Sequence, residues 1–166
     1  MFLGDYLHNI QSDYKKFFFS GISFNSNKTV KDNIFFAIKG NKIDGTNFIP
    51  HAIKNGAKII ITEHENEGLK NNILYIKTKN IRKLLAEISF KIYNKIPKNI
   101  IAVTGTNGKS SIADFYYQIL KLNNKRVASI GTLGVKSKNV NLNLSNTTTD
   151  PIKLAQILTR LKSQKV

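Results

Sequence analysis

Apolar positions along this chain follow two rhythms that alternate with each other. Runs of strand length, rich in β-branched and aromatic residues, occur at Ile34–Ile38 (IFFAI), Lys58–Thr62 (KIIIT) and Ile73–Ile76 (ILYI). Between the first two, Asn47–Asn55 (NFIPHAIKN) sets Phe48, Ala52 and Ile53 on one helical face, and Gly56 follows as a stop signal. From Ile81 to Tyr93, Ile81, Leu84, Leu85, Ile88 and Ile92 recur at helical spacing, which predicts an amphipathic helix with Asn80 as its N-cap. Pro97 disfavours helical geometry in the residue before it, so a domain boundary is placed there, dividing 1–97 from 98–166. The Phe17-Phe18-Phe19 run reads as strand core.

After the boundary the pattern restarts. An apolar strand is expected at Ile100–Val103, then a glycine-rich turn, then a helix from about Lys109 to Leu122. A strand Arg126–Ile130 follows the Asn123-Asn124 turn, and Gly131 to Leu144 reads as a hairpin region. A last helix opens with Asp150 as N-cap and Pro151 at its first position, with Leu154, Ile157, Leu158 and Leu161 as its core face. Strand, turn, helix, strand is a βαβ unit, so this part is expected to begin a parallel sheet. The fold class expected is α/β: a small N-terminal α/β domain followed by the beginning of a parallel-sheet domain.

Composition narrows the function classes. The 166 residues, with 41% hydrophobic and 22% charged, suffice for a sizeable core or for one small domain plus part of another. Without cysteine there are no disulfides, no thiolate metal sites and no thiol nucleophile. No apolar run approaches the roughly 18–20 residues of a membrane span. The N-terminus lacks a basic stretch followed by an apolar block, so a cytoplasmic location with no signal peptide is expected. The net charge of +16 raises nucleic acid as a partner, but arginine occurs only at Arg82, Arg126 and Arg160, and the lysines are scattered. The charge suits attraction of an anionic small substrate better. His8, His51 and His64 lie far apart without supporting acids, and Glu63, Glu65 and Glu67 read as a solvated turn.

The chemistry is densest in IIAVTGTNGKSS, Ile100 to Ser111. Glycines at Gly105 and Gly108 let backbone N–H groups approach an anion closely, and a following helix N-terminus adds unpaired donors and partial positive charge. Lys109 can reach β- and γ-phosphates, and the Ser110 hydroxyl can ligate Mg²⁺. The loop is shorter than the full G-x-x-x-x-G-K-[ST] pattern, because Val103 stands where that pattern has its first glycine. ATP with Mg²⁺ is the ligand pair expected.

Val103-Thr104-Gly105-Thr106-Asn107-Gly108-Lys109-Ser110-Ser111 resembles the ATP loop of the Mur ligase family. The stretch from Ser26 to Thr62, through Val30, Asp32, Phe35, Ala37, Gly40, Asp44, Gly45, Phe48, Ala52, Gly56 and Ala57, is similar to that family's N-terminal uridine-sugar domain. Ser129-Ile130-Gly131-Thr132-Leu133-Gly134 and Asn146-Thr147-Thr148-Thr149-Asp150-Pro151 resemble its MurE type in particular. The resemblance implies that Gly105, Thr106, Asn107, Gly108, Lys109, Ser110 and Ser111 hold ATP, with Lys109 as the catalytic cation and Ser110 at Mg²⁺. It further implies that Phe24, Ser26, Asn41, Lys42, Ile43, Asn146, Thr147 and Thr148 meet a UDP-N-acetylmuramoyl dipeptide. Three departures stand out: D-S-R reads Asn25-Ser26-Asn27, D-G-H reads Asp44-Gly45-Thr46, and the proline of T-T-P-D is Thr149.

The activity implied is the ATP-dependent addition of a diamino acid, meso-diaminopimelate or lysine, to the dipeptide through an acyl phosphate. The implied setting is cell-wall peptidoglycan synthesis by a monomer, without nucleic acid or membrane partners. The family's further Mg²⁺-binding Glu, its His, its modified Lys and its amino-acid domain have no counterpart in these residues. An isolated chain of this length is therefore expected to lack ligase activity and to expose apolar surface. Other readings are a MurF-type or folylpolyglutamate synthase-type ligase, and a non-catalytic nucleotide-sugar-binding module.

Overall fold

The structure is a computed structural model, and it describes residues 1–40, 43–64, 67–144 and 149–166. They form two compact units, Met1–Lys91 and Ile92–Val166. Among the described residues no helix is long and apolar enough to cross a membrane.

The first unit is built on a five-stranded sheet in the order β1-β2-β3-β5-β4. Its strands are β1 (Gly21–Ser23), β2 (Asn33–Phe36), β3 (Ile59–Thr62), β4 (Gly68–Lys70) and β5 (Ile73–Lys77). β1, β2, β3 and β5 run parallel, with Ile34 opposite Ile59 and Ile60 opposite Tyr75, while β4 is an antiparallel edge. Every residue of β2 and β3 is buried, as expected of parallel strands covered on both faces. Helix α1 (Ile49–Lys54) makes the crossover between them. Phe35, Ala37, Ile49, Ala52, Ala57 and Ile60 form the core on one face. By the period of two, Ile34, Phe36, Ile59 and Ile61, each fully buried, belong to the other face. Helix α2 (Ile81–Ile92) buries Ile81, Leu85 and Ile88, and Asn80 caps it by accepting the N–H of Lys83 at 2.9 Å.

Gly56 ends α1 as expected. At φ +104 it takes the left-handed position of a Schellman turn, with Ala57 N–H on Ala52 O at 3.0 Å and Gly56 N–H on Ile53 O at 2.9 Å. The helix itself starts later than the pattern suggests. Asp44 opens a 3-10 turn over Gly45–Phe48, whose tighter winding leaves Phe48 41% exposed, and Ile49 takes the core position instead. The aromatic run also divides. Met1 and Leu3 pair with Phe19 and Phe17 (Phe19 N–H to Met1 O and Leu3 N–H to Phe17 O, both 2.9 Å). Phe19 is fully buried, and Phe18 turns outward against Phe2 because neighbouring residues of an extended chain face opposite ways. Strand β4 has no signal in the pattern. It pairs with β5 through Asn71-Asn72, both at positive φ, which is the backbone a two-residue hairpin turn requires.

In the second unit, helix α3 (Lys109–Leu122) has the expected bounds and ends in a Schellman turn on Asn124 at φ +56. The segment 100–103 is no strand, and Ile100 and Ile101 are 54% and 62% exposed. Of the stretch Arg126–Ile130, only Ser129 and Ile130 enter β6 (Ser129–Gly131). Its partner β7 (Gly134–Lys136) is antiparallel, and β8 (Asn141–Leu142) completes a three-stranded antiparallel sheet. The expected parallel βαβ pairing is therefore not made among the described residues. β-Propensity marks a segment suited to a ladder, but the ladder exists only where another chain segment supplies the donors and acceptors. Helix α4 (Pro151–Ser163) starts on Asp150, whose Oδ1 accepts the N–H of Lys153 at 2.9 Å. Its Ile157 and Leu161 pack with Val135 and Val140 to form the core of this unit, and Ala155 is more buried than the expected Leu154.

Candidate functional site

The segment Gly105–Ser111 leads into the N-terminus of α3. Gly105 and Gly108 lie at φ +150 and +77, conformations that L side chains rarely adopt, and Gly108 is the N-cap. A Cβ at Gly108 would meet nothing within 4 Å, so backbone conformation rather than space calls for glycine here. The glycine offers no side-chain cap, and Ile112 N–H to Gly108 O at 2.9 Å begins the helix. The amides of Lys109, Ser110 and Ser111 thus point out of the helix end as free donors. The Lys109 ammonium folds over the loop and donates to the carbonyl oxygens of Gly105 and, at 3.1 Å, Thr106. Gly105, Thr106, Asn107, Gly108, Ser110 and Ser111 are all exposed. An uncapped helix N-terminus, two positive-φ glycines, an ammonium and two hydroxyls make a donor-rich set suited to a polyphosphate, with the Ser110 hydroxyl oxygen available to a divalent cation.

Beside Ser110 lies a shallow cavity of about 20 Å³, lined among others by Asp114, Ser129, Thr132 and Lys136. Asp114 is one helical turn beyond Ser110 on the same face. Its carboxylate takes the Lys136 ammonium at 3.4 Å and the Gln118 amide at 2.6 Å, joining α3 to β7. Neither Asp114 nor Lys136 belongs to a motif, and their spacing of 22 positions gives no local signal.

The first unit offers its own cluster at the carboxyl ends of the strands. Ser26 is buried in a 3-10 turn after β1, and among the described residues its hydroxyl has no partner. Phe24 and Ile43 are 39% and 58% exposed. Asn25 supports the turn as an aspartate would: its Oδ1 accepts the N–H of Asn27 at 2.9 Å, and its carbonyl accepts the hydroxyls of Ser23 and Thr29. A carboxamide oxygen suffices for that, so the loss of the acid leaves the local geometry in place. In the Asp44-Gly45-Thr46 stretch, Asp44 Oδ1 accepts both the N–H and the hydroxyl of Thr46 at 2.9 Å. These bonds, the N–H first, hold the Asp44 carboxyl below its ordinary value, and the Lys39 and His64 charges add to the effect. Gly45 is required by space, since a Cβ would sit 2.3 Å from Ile38 O.

Asn41, Lys42, Asn146, Thr147 and Thr148 lie outside the described residues. Two contacts escaped the sequence reading. Glu63, read as part of a solvated turn, accepts the N–H of Ile81 at 3.0 Å and so caps α2 together with Asn80. Arg82 Nη2 donates to Lys39 O at 2.9 Å. Among the described residues no group of three or more His, Cys, Asp or Glu could hold a metal ion.

The model of the Mur ligase family, catalytic domain, matches residues 19–93, and that of the Mur ligase middle domain matches residues 103–166. The chain is 40% identical over 129 residues to the UDP-N-acetylmuramoyl-L-alanyl-D-glutamate--2,6-diaminopimelate ligase of Rickettsia prowazekii (strain Madrid E), covering 78% of this chain and 26% of the relative. The ligase of the same name from Wigglesworthia glossinidia brevipalpis is 39% identical over 158 residues, covering 90% of this chain and 32% of the relative. Among solved structures, one UDP-N-acetylmuramoyl-L-alanyl-D-glutamate--2,6-diaminopimelate ligase superposes with a TM-score of 0.78 at 28% identity, covering 99% of this chain and 34% of that one. The MurF ligase from Thermotoga maritima, in complex with ADP, gives 0.53 at 25% identity, covering 81% of this chain and 28% of that one. The chain spans about a quarter to a third of the length of the curated relatives it matches.

Proposed function

The chain belongs to the Mur ligase family, and from that membership we propose that it carries nucleotide-binding parts of an ATP-dependent ligase that adds a diamino acid to UDP-N-acetylmuramoyl-L-alanyl-D-glutamate. Residues 1–97 take the sugar nucleotide, and residues 98–166 begin the ATP-binding part. The observation that carries this reading is the loop Gly105–Ser111 at the N-terminus of α3, with three outward amides and Lys109 over its mouth. That the related MurF ligase is in complex with ADP supports an adenine nucleotide as a ligand.

In this reading ATP, with Mg²⁺, supplies the phosphoryl group that activates the terminal carboxylate of the dipeptide, and the amine of the incoming amino acid then displaces phosphate. The chain's own contribution is positioning and charge neutralisation. The amides of Lys109, Ser110 and Ser111 orient phosphate oxygens, the Lys109 ammonium offsets charge on the β- and γ-phosphates, and the Ser110 hydroxyl ligates the cation. Phe24, Ser26, Asn41, Lys42 and Ile43 hold the uridine diphosphate side, and Asn146, Thr147 and Thr148 the muramoyl dipeptide side. Diaminopimelate is the diamino acid in the names of the relatives, and the higher structural likeness to their kind than to MurF favours the MurE type. The setting is cytoplasmic peptidoglycan synthesis by a monomer.

Titration of the purified chain with UDP-N-acetylmuramoyl dipeptide and, separately, with Mg-ATP tests the reading. Both are expected to bind, the first losing affinity in a Thr147→Ala/Thr148→Ala variant and the second in Lys109→Ala. A folded chain that binds neither ligand would refute it.

A further inference from the structure

In a chain of 26 basic residues with only three arginines, Arg82 occupies a particular place. It is the second residue of α2, and its Nη2 donates to the carbonyl oxygen of Lys39 across 43 positions of sequence at 2.9 Å. That end of α2 is itself held: Glu63, at the exit of β3, accepts the N–H of Ile81, and Asn80 accepts that of Lys83. The guanidinium therefore reaches from an anchored helix end to the first residue of the turn that follows β2.

The turn is closed from within by other bonds. Lys39 and Asp44 pair as an isolated antiparallel bridge, Gly40 N–H donates to Ile43 O at 2.9 Å, and Gly45 N–H donates to Ile38 O at 3.1 Å. Asp44 in turn holds Thr46. Arg82 adds a bond from outside the turn, tying it to the helix. A planar guanidinium keeps a donor in a set direction, whereas a lysine ammonium is a point charge on a flexible stem. This difference gives a reason for arginine at one position of a chain otherwise rich in lysine.

We infer that Arg82 is a positioning residue: by holding Lys39 O it sets Lys39, with Asp44 bridged to it and Ile43 bonded to Gly40, against α2 and so presents Ile43 to the sugar nucleotide. The inference rests on the proposed function, in which this turn lies along the uridine diphosphate. Arg82 acts through the backbone of Lys39 and contributes no charge to the bound phosphates.

The test uses the whole chain, with UDP-N-acetylmuramoyl-L-alanyl-D-glutamate and Mg-ATP as probes, and amide hydrogen exchange followed by NMR. In Arg82→Ala the Gly40 and Gly45 amides are expected to exchange faster while that of Leu85 within α2 does not change. Sugar-nucleotide affinity should fall roughly three- to tenfold, the scale of one ordinary exposed hydrogen bond, with Mg-ATP affinity unchanged. Arg82→Lys should behave like Arg82→Ala, and Lys83→Ala, at the neighbouring exposed cation, should change nothing. The salt dependence of sugar-nucleotide binding should be the same in wild type and Arg82→Ala. A shallower dependence would overturn the inference by making Arg82 a direct phosphate contact. Unchanged affinity or unchanged Gly40 and Gly45 exchange in Arg82→Ala would overturn it too. A wild-type chain that binds no sugar nucleotide would remove the proposed function itself, and the inference with it.

Discussion

Lys109 Nζ and the carbonyl oxygen of Gly105 are hydrogen-bonded across four positions of sequence, so the cation of the phosphate loop is held over the loop by the loop's own backbone. The ammonium is thereby kept on the loop that leads into the N-terminus of α3.

Replacing Lys109 by Ala should weaken Mg-ATP binding by roughly ten- to a hundredfold, the value of a hydrogen bond to a charged group. Calorimetry on the two proteins checks it, with circular dichroism to show that both are folded. An affinity within twofold of wild type would remove Lys109 from the site.

Two glycines separate conformational cost from steric cost. Gly108→Ala meets open space at φ +77, so it should lower stability by only about 1–2 kcal/mol. Gly134→Ala, at φ +88, puts a Cβ 2.1 Å from Leu142 O and must also push β8 from β7, costing roughly 3 kcal/mol or more. Urea unfolding of both variants tests the ranking, and equal losses would contradict it.

Glu63→Ala removes the acceptor for Ile81 N–H at the start of α2 and should cost about 1 kcal/mol, as loss of an N-cap does. Glu63→Gln, which keeps an acceptor oxygen, should recover most of that in the same denaturation assay.

Asp44 makes a pH-dependent contribution of defined sign. Its carboxyl is held below the ordinary value of 3.8, first by the N–H of Thr46, so folding favours the ionised form. The stabilisation is full above that ordinary value and is lost as the pH falls through the lower folded value. The stability difference between wild type and Asp44→Asn should therefore be constant near neutrality and shrink below about pH 4. A difference that grew on acidification would reverse the assignment.

Much of this was legible along the chain because its causes are local. Gly56 and Asn124 end helices where left-handed backbone is needed, Asn80 and Asp150 cap them, and Gly105–Lys109 has the composition of an anion loop. Each depends on atoms within a few residues, and side-chain chemistry at that range is set by sequence alone. Strands β2 and β3, apolar but for Asn33 and Thr62 at their ends, were readable for a related reason, since strands buried on both faces carry no polar alternation.

What only the tertiary structure decided concerns partners distant in sequence. The apolar segment 100–103 carries the propensity of a strand without a ladder, while β6 pairs backwards with β7 rather than in parallel. Glu63 was read as solvated and is a helix cap, because Ile81 comes within 3.0 Å only when β3 and α2 are packed. Arg82 looks along the chain like any other cation and becomes an anchor for Lys39 through a contact spanning 43 positions. A residue type states which bonds a side chain can make. Which of them it does make depends on the surface that folding brings opposite it, and no local pattern records that surface.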